Sequence, residues 1–542
     1  MLDLTSSISK SPVYHKVIFF IGLLILFLSI PFNVNIYDEG LVLTGAMMVK
    51  NGLLPYKDFW TIYAPGQFYL NALILSYFPK SIEAVRIVSF IFMGLTSVIL
   101  YNISYRTLNR HTAIIPSIVT LFFFSYTDLW SRAIPTALFF VFLAVYYLFN
   151  YFETSKIKYA VFSGFSIGTL ALFRHDMGGF LLGAIFQAVF FFSLSHGIIR
   201  DSSRKEKIFY GLKNALYFGI AAFWVLPFAI YFLVNIPLEN IWDQLIITPA
   251  TVFREYRSLP FPYPWDLYEG VSFSNSIKLF WNGTAFWIPV LTAIATVIAI
   301  IFRVRKKTMI LNGEKFWKEI TLFNIVLNLF NQASVRSDFE HTIPVYLGAL
   351  ILLINLILLI RINYIKYLLI IISISFLMSI PMIGVIKNYK EKLIKENYIN
   401  SLSKGPYPEI VEPDLDYIVL KNSLINIFKI EPNARIFSCN TRHDNIYINN
   451  NLIYFELDKL PPTKYFELHP GIVTEKEVQL EIIQHLKAKK IDYIFMSELP
   501  INTEDNLSSK QKGSDTLDGY IRENFKNIYD QSIYSIWKNL EK

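Results

Sequence analysis

The sequence predicts a polytopic α-helical membrane protein of about eleven transmembrane helices, carrying a C-terminal extracytoplasmic α/β domain. Three observations predict it. Hydrophobic residues fill 54% of the 542 positions and charged residues 17%, against roughly 25% charged in a soluble protein. The apolar residues gather into runs near the roughly 17–25 residues that a bilayer helix needs. From about Lys387 the composition turns to an ordinary soluble mixture rich in Lys, Glu, Asn and Asp. One soluble core cannot hide this much apolar surface, so lipid must solvate part of it. That excludes a soluble enzyme, a secreted disulfide scaffold and a disordered chain. The single cysteine, Cys439, excludes an intrachain disulfide and a multi-cysteine metal site.

The first run, 17–32, follows Lys10, His15 and Lys16 and has no small-residue cleavage site after it. It reads as an uncleaved span rather than a removed signal peptide. Further spans are expected at 82–104, 112–127, 134–151, 159–173, 179–197, 209–234, 283–302, 318–332, 342–360 and 366–386. The membrane domain is therefore 1–386, with a long first outer loop (33–81) and a second outer loop (235–281), and 387–542 is the soluble domain. In that domain 434–438 and 491–496 read as buried strands and 475–489 as an amphipathic helix.

Charge sets the orientation. With the N-terminus cytoplasmic, the inside loops collect Arg106, Arg110, Lys156, Lys158, the basic group from Arg200 to Lys213, the group from Arg303 to Lys318, Arg361 and Lys366. The outer loops between spans three and ten hold far fewer: Arg132, Arg174, Arg254, Arg257, Lys278 and Arg336. An odd number of spans then leaves the C-terminal domain outside. The net charge of +8 is thus a topology signal. Membrane lipids are expected partners and nucleic acid is not.

Ionisable residues at the ends of spans are costly near lipid and are functional candidates for that reason. Three clusters fall on the outer face. Tyr37-Asp38-Glu39-Gly40 follows the first span; two carboxylates there suit a general base with an orienting or metal-binding partner, or a helix cap. The loop after it is long, aromatic and proline-punctuated, as binding loops are. Arg174-His175-Asp176 and Arg336-Ser337-Asp338-Phe339-Glu340-His341 each join a cation, a carboxylate and a histidine. Arginine suits a phosphate because its planar fork donates two parallel hydrogen bonds. Arg–Asp pairing that pins the loops together is the alternative, and neither histidine pair has zinc-site spacing.

Asp38-Glu39, followed by Pro55-Tyr56-Lys57-Asp58-Phe59-Trp60 and Tyr63-Ala64-Pro65-Gly66, resembles the GT-C superfamily of integral-membrane glycosyltransferases. The resemblance is to bacterial relatives of the dolichyl-phosphate-mannose–protein mannosyltransferases and of the lipid A aminoarabinose transferase, and it covers roughly 15–386. Arg174/Asp176 and Arg336/Asp338 look like positions such proteins carry. The segment 461–471 looks like the outer domain appended in some bacterial members. The resemblance implies a bacterial inner-membrane enzyme that takes a sugar from a polyprenyl-phosphate donor and gives it to a protein, lipid or glycan acceptor, with inversion at the anomeric carbon. Family analogy assigns acceptor activation to Asp38 and Glu39.

The chemistry agrees. The acceptor hydroxyl must lose a proton, for which Asp38 is the base, with Glu39 orienting it or substituting for it. The leaving phosphate needs fixed positive charge, here Arg174 and Arg336 with His341. Asp58, Tyr63, His175, Asp176 and Asp338 are supporting candidates, and Trp60 a sugar-stacking one. No particular cofactor is implied; a divalent metal is possible, since the acid pair fits its presence or its absence alike. The loop 235–281, with Arg254 to Arg257, would cover the donor or guide the acceptor. His443-Asp444 and Glu467-x-His469 in the outer domain suit acceptor docking more than chemistry. The rival readings are a flippase for lipid-linked sugars, a polymerase or ligase of lipid-linked oligosaccharides, and a receptor. Transport is disfavoured because the charges collect at one face instead of the midplane and no halves repeat.

Overall fold

The computed structural model describes residues 12–31, 34–196, 203–266, 272–309, 313–399, 415–446, 449–498, 504–531 and 533–541. All eleven expected apolar runs are helical, and the chain divides into two compact units. The first comprises Met1–Ile30, Val88–Ile230 and Pro260–Glu391, and the second Pro31–Ile87, Tyr231–Leu259 and Lys392–Lys542. The division differs from one at 386. Two segments expected as loops of the membrane domain belong to the same unit as the C-terminal domain.

The first unit is a helix bundle. Among the described residues seven helices are long and apolar enough to cross a membrane: Ile82–Tyr105, Ala133–Thr154, His175–Ser195, Arg204–Asn235, Phe273–Arg305, Phe339–Leu358 and Asn363–Lys387. Three shorter apolar helices, Val13–Leu28, Ile114–Tyr126 and Ile157–Phe173, and the more polar Glu314–Val335 account for the other expected runs. The boundaries shift where caps decide them. Phe273–Arg305 starts ten residues ahead of the expected 283, where the Ser272 side chain accepts from Asn275 N. The final helix continues to Ile399, so no break falls at 386.

Aromatic side chains fill the bundle, with Phe123, Phe124, Phe142 and Phe149 all buried. Helix Ile157–Phe173 lies so close to Arg204–Ala222 that a Cβ on Gly164 would meet the Phe218 carbonyl oxygen at 2.2 Å. Small residues permit this approach, which is how helices in lipid gain packing without a hydrophobic drive between them. Phe192, at the end of its helix, lies 6.3 Å from Trp317 near the start of Glu314–Val335. These two helices are therefore antiparallel. Glu153 receives Lys318 Nζ at 2.7 Å and lies 3.7 Å from Arg106 at this same end. The opposite end carries the start of His175–His196 and the end of Glu314–Val335.

The second unit is built around a four-stranded sheet of order β1-β2-β4-β3: β1 (Ile436–Asn440), β2 (Tyr493–Ser497), β3 (Phe525–Gln531) and β4 (Tyr534–Asn539). β1 and β2 are parallel, and the β3–β4 hairpin adds antiparallel through β4. β1 and β2 are wholly buried, so their sequences are near-continuous apolar runs. Both lie two residues beyond the expected starts, and helix Lys476–Ala488 joins them as expected. The hairpin and helix Leu415–Ile430 were not legible in sequence. β3 buries only Phe525 and alternates polar with partly exposed residues. His443 bonds Asp518 through both its backbone and its ring, and Asp444 pairs with Arg442, so that pair of the outer domain is structural.

The segment after residue 31 docks on this domain. Asn451 N and Leu452 N both donate to Ile36 O, at 3.0 and 3.2 Å, and Thr44 Oγ1 donates to Asn451 O at 2.7 Å. Helix Asp38–Lys50 passes so near that a Cβ on Gly40 would meet Leu452 N at 2.5 Å. Both partners there are backbone and cannot rotate away. Gly40→Ala is expected to weaken the unit by about 1–3 kcal/mol, read as a lower melting temperature of the purified protein. Gly52→Ala supplies a contrast for backbone strain alone, since Gly52 at φ +83 has open space around it.

Candidate functional site

Asp38 and Glu39 open a helix, and the start of that helix separates their roles. Asn35 Oδ1 accepts from Tyr37 N and Asp38 N at 3.0 and 2.8 Å, satisfying donors that the first turn leaves over. Asn35 N in turn donates to Glu39 Oε2 at 3.1 Å. Arg86 closes the arrangement: Nε donates to Glu39 Oε1 at 3.0 Å, Nη2 to Oε2 at 2.6 Å and Nη1 to Pro31 O at 2.6 Å. The two side chains are 3% and 0% exposed. Glu39 is thus a buried anchor of the helix start, the orienting half of the expected pair. Asp38, the neighbouring residue, is half-buried, and its backbone N–H is held by Asn35. With both Glu39 oxygens engaged, the adjacent carboxylates do not fit a shared divalent ion. Among the described residues no three His, Cys, Asp or Glu side chains gather into a metal-sized group.

Around Tyr37 the second unit gathers polar groups from three stretches of chain. Burial pushes the Tyr37 phenol well above 10, Arg257 pulls it down, and Tyr63, Glu467 and Asp38 act on it as like charges. Arg257 ends helix Val252–Arg257. Gln244 fixes the neighbouring turn, accepting from Thr61 N at 2.9 Å and donating to Tyr56 O at 3.1 Å. Glu467 is 1% exposed; burial raises its carboxyl to about 8, opposed by the Thr61 hydroxyl. His469 lies 5.5 Å from both Trp60 and Phe253, and burial, then Arg257, holds its ring down to about 3.

Trp60 corrects an expectation. It is 6% exposed and packs with Tyr465 and Phe437 in the core of the sheet domain. Its ring faces are taken by protein, so it does not stack on a sugar. Asp58 accepts from Leu54 N at 2.7 Å and closes a turn. Tyr63 is 37% exposed, and its carbonyl accepts from Tyr56 OH at 2.7 Å.

In the first unit both Arg-x-Asp elements are helix corners. Arg174 is the C-cap of Ile157–Phe173 and Asp176 lies in the first turn of the next helix. Arg336 is the C-cap of Glu314–Val335 and Asp338 is the N-cap of Phe339–Leu358. Cations are favoured at helix C-termini and anions at N-termini, so each corner places both charges where the helix dipoles favour them. Arg174 grips Asp176 with Nε and Nη2 at 2.9 and 2.6 Å. Arg336 Nε reaches Asp338 at 3.4 Å, and Asp338 also accepts from His341 N and contacts His341 Nδ1 at 2.7 Å. Because His175–His196 and Glu314–Val335 are antiparallel, the two corners occupy the same end of that helix pair. His175 stands inside the first corner. Arg132 and Glu340, bonded at 3.1 Å, add a pair at the second that sequence reasoning missed. Arg86 was missed too, although a lone arginine inside an apolar run is itself a signal.

Residues 63–231 match the family model described as dolichyl-phosphate-mannose-protein mannosyltransferase. Among solved structures the chain is similar to ArnT from Cupriavidus metallidurans bound to undecaprenyl phosphate, at a TM-score of 0.56 and 12% identity over 97% of this chain and 98% of that one. The fold is that of the GT-C superfamily of integral-membrane glycosyltransferases. A second GT-C structure, the oligosaccharyltransferase AglB from Archaeoglobus fulgidus in complex with an inhibitory peptide and a dolichol-phosphate, aligns at a TM-score of 0.52 and 11% identity over 90% of this chain and 69% of that one. No curated protein matches by sequence at a significant level.

The acid pair divides into a buried anchor, Glu39, and a half-buried neighbour, Asp38, and the division is testable. Arg86→Ala leaves the Glu39 carboxylate buried without its cation, a change that typically costs about 3–5 kcal/mol. It should lower the melting temperature or abolish insertion. Asp38→Asn should leave the melting temperature within a few degrees of wild type.

Proposed function

We propose that this protein transfers a sugar from a polyprenyl-phosphate donor to an acceptor hydroxyl on the extracytoplasmic face of the plasma membrane, with inversion. The observation that carries the reading is the pair of arginine corners at one end of the bundle, in a chain of GT-C fold. A prenyl tail requires an enzyme within the bilayer, and its phosphate lies at headgroup depth, where helix corners lie. Asp38 accepts the acceptor proton as the acceptor oxygen bonds to the anomeric carbon. The bond from that carbon to the phosphate oxygen breaks, and its electron pair leaves with polyprenyl phosphate. Arg174 and Arg336, with His341, hold the charge that develops on the phosphate. Asp176 and Asp338 orient the two guanidiniums, and Glu39 orients the start of the Asp38 helix. Tyr63 contacts the sugar or acceptor. A single displacement on one carbon inverts its configuration.

Asp38→Asn should lower transfer by at least about a hundredfold, in the range seen when a general base is removed, with expression and melting temperature kept. Arg336→Ala should raise the KM for a polyprenyl-phosphate sugar more than that for acceptor. Product NMR should report the inverted anomer. A fully active Asp38→Asn variant, or a retained anomeric configuration, would overturn the mechanism.

The loop charge asymmetry supports a cytoplasmic N-terminus. Thr154 and Trp265 lie on opposite faces under that orientation, both exposed, and the native Cys439 is buried with its thiol pushed up. In intact cells an impermeant maleimide should therefore label W265C, and should label T154C only after permeabilisation. The reverse pattern would invert the topology.

A further inference from the structure

Glu467 is a buried carboxyl in the C-terminal domain, and nothing in the transfer reaction as described above uses it. It is 1% exposed. Among the described residues neither of its oxygens has a hydrogen bond of normal geometry, although the Thr61 side chain interacts with it. Buried polar groups in folded proteins nearly always have partners, and those that lack them tend to mark sites where a ligand or water supplies one. The surroundings do not provide an ion pair. Tyr37 is the titratable group from the start of helix Asp38–Lys50 that senses Glu467, and it also senses Asp38, Tyr63 and Arg257. Arg257 acts on Tyr37 and on His469, yet it is not among the groups that shift Glu467. His469, two residues along, has its Nδ1 2.7 Å from its neighbour's carbonyl, Pro470 O. Its ring is neutral at any physiological pH, so it offers Glu467 no cation.

The location gives this group a purpose. Thr61 is held by Gln244 through its backbone, so the hydroxyl facing Glu467 sits on a braced turn. Glu467, Asp38 and Tyr63 all lie within electrostatic reach of one phenol. We propose that Glu467 and Thr61 form a subsite that binds a hydroxyl of the transferred or accepting sugar beside the Asp38 helix start. This rests on the reading of the protein as a sugar transferase. A neutral carboxyl in a dry site both donates and accepts, which matches a sugar hydroxyl that does the same. A carboxylate could only accept. Because burial raises the group to about 8, the binding form is present below that pH and is lost above it.

The test uses the full-length protein in detergent, with E467Q and E467L. Glutamine keeps a donor and an acceptor in the same volume at every pH; leucine keeps only bulk. Saturation-transfer NMR with methyl glycosides, which needs no turnover, should show binding in wild type and E467Q and none in E467L. With polyprenyl-phosphate mannose as donor, E467L should lose about ten- to a hundredfold in turnover, the scale of one lost hydrogen bond to substrate. E467Q should stay within about threefold of wild type and lose the fall in activity above pH 8. Loss confined to transfer onto envelope membranes, with donor hydrolysis spared, assigns the hydroxyl to the acceptor. Loss of both assigns it to the donor sugar. Equal glycoside binding in all three proteins, or E467Q and E467L falling together with equal drops in melting temperature, would overturn the subsite. A wild type inactive with every donor of a polyprenyl-phosphate sugar panel, yet binding glycosides through Glu467, would sink the transfer reading and leave the subsite standing.

Discussion

A guanidinium and a carboxylate sealed from water, Arg86 and Glu39, hold the second unit's first helix in place. Each would be prohibitive to bury alone, and together they are tolerable only because both carboxylate oxygens and all three guanidinium nitrogens have acceptors or donors in good geometry. The pair fixes Asn35, Asn35 caps the helix, and the helix start sets where Asp38 points. Removing any link would let the Asp38 turn fray. The chemistry assigned to Asp38 therefore depends on a neighbour that touches no substrate.

The first unit solves a related problem with different means. A helix that ends at the membrane boundary leaves carbonyls unsatisfied, and the helix that follows leaves amides. An arginine closing one helix and an aspartate opening the next meet both needs, and they also attract each other. The chain does this twice, at 174–176 and 336–338, at one end of the same helix pair. Structural pairing and phosphate binding are not exclusive here. Arg174 uses Nε and Nη2 on Asp176, which orients the guanidinium. A pre-aimed cation needs little reorganisation when a phosphate arrives.

The sheet domain contributes more than a tether. Backbone bonds from Asn451 and Leu452 to Ile36, and from Trp60 to Lys464, make the first long segment part of its core. The segment 231–259 joins through Gln244 and through Tyr256, which packs on Gly471. Gly471 sits at φ +79 with no room for a Cβ, so the chain there can be neither bulkier nor differently bent. Two stretches far apart in sequence thus present Asp38, Tyr63 and Glu467 from one folded body, which the third, 231–259, braces.

Much of this was legible beforehand, for definite reasons. Hydrophobic runs report helices across a bilayer because rise per residue and hydrocarbon thickness leave little choice of length. That is why eleven runs became eleven helices, with errors confined to caps at positions such as Ser272. The Arg-x-Asp corners were visible as local motifs, since both charges lie within three residues. Other features were invisible because the deciding partner is remote. Adjacent residues on a helix point about 100° apart, so Asp38 and Glu39 had to differ, but only Arg86, 47 positions away, decides which one is buried. Trp60 looked like a sugar-stacking aromatic until the core of the sheet domain closed over it. Glu467 read as a docking group of the outer domain, and only tertiary packing shows that its carboxyl is sealed from water. Composition and run length determined that this chain lives in a membrane and where its apolar helices run. Which carboxylates stay charged, which are anchored and which await a ligand were decided by contacts between segments distant in sequence, because burial and pairing are properties of the assembled surroundings.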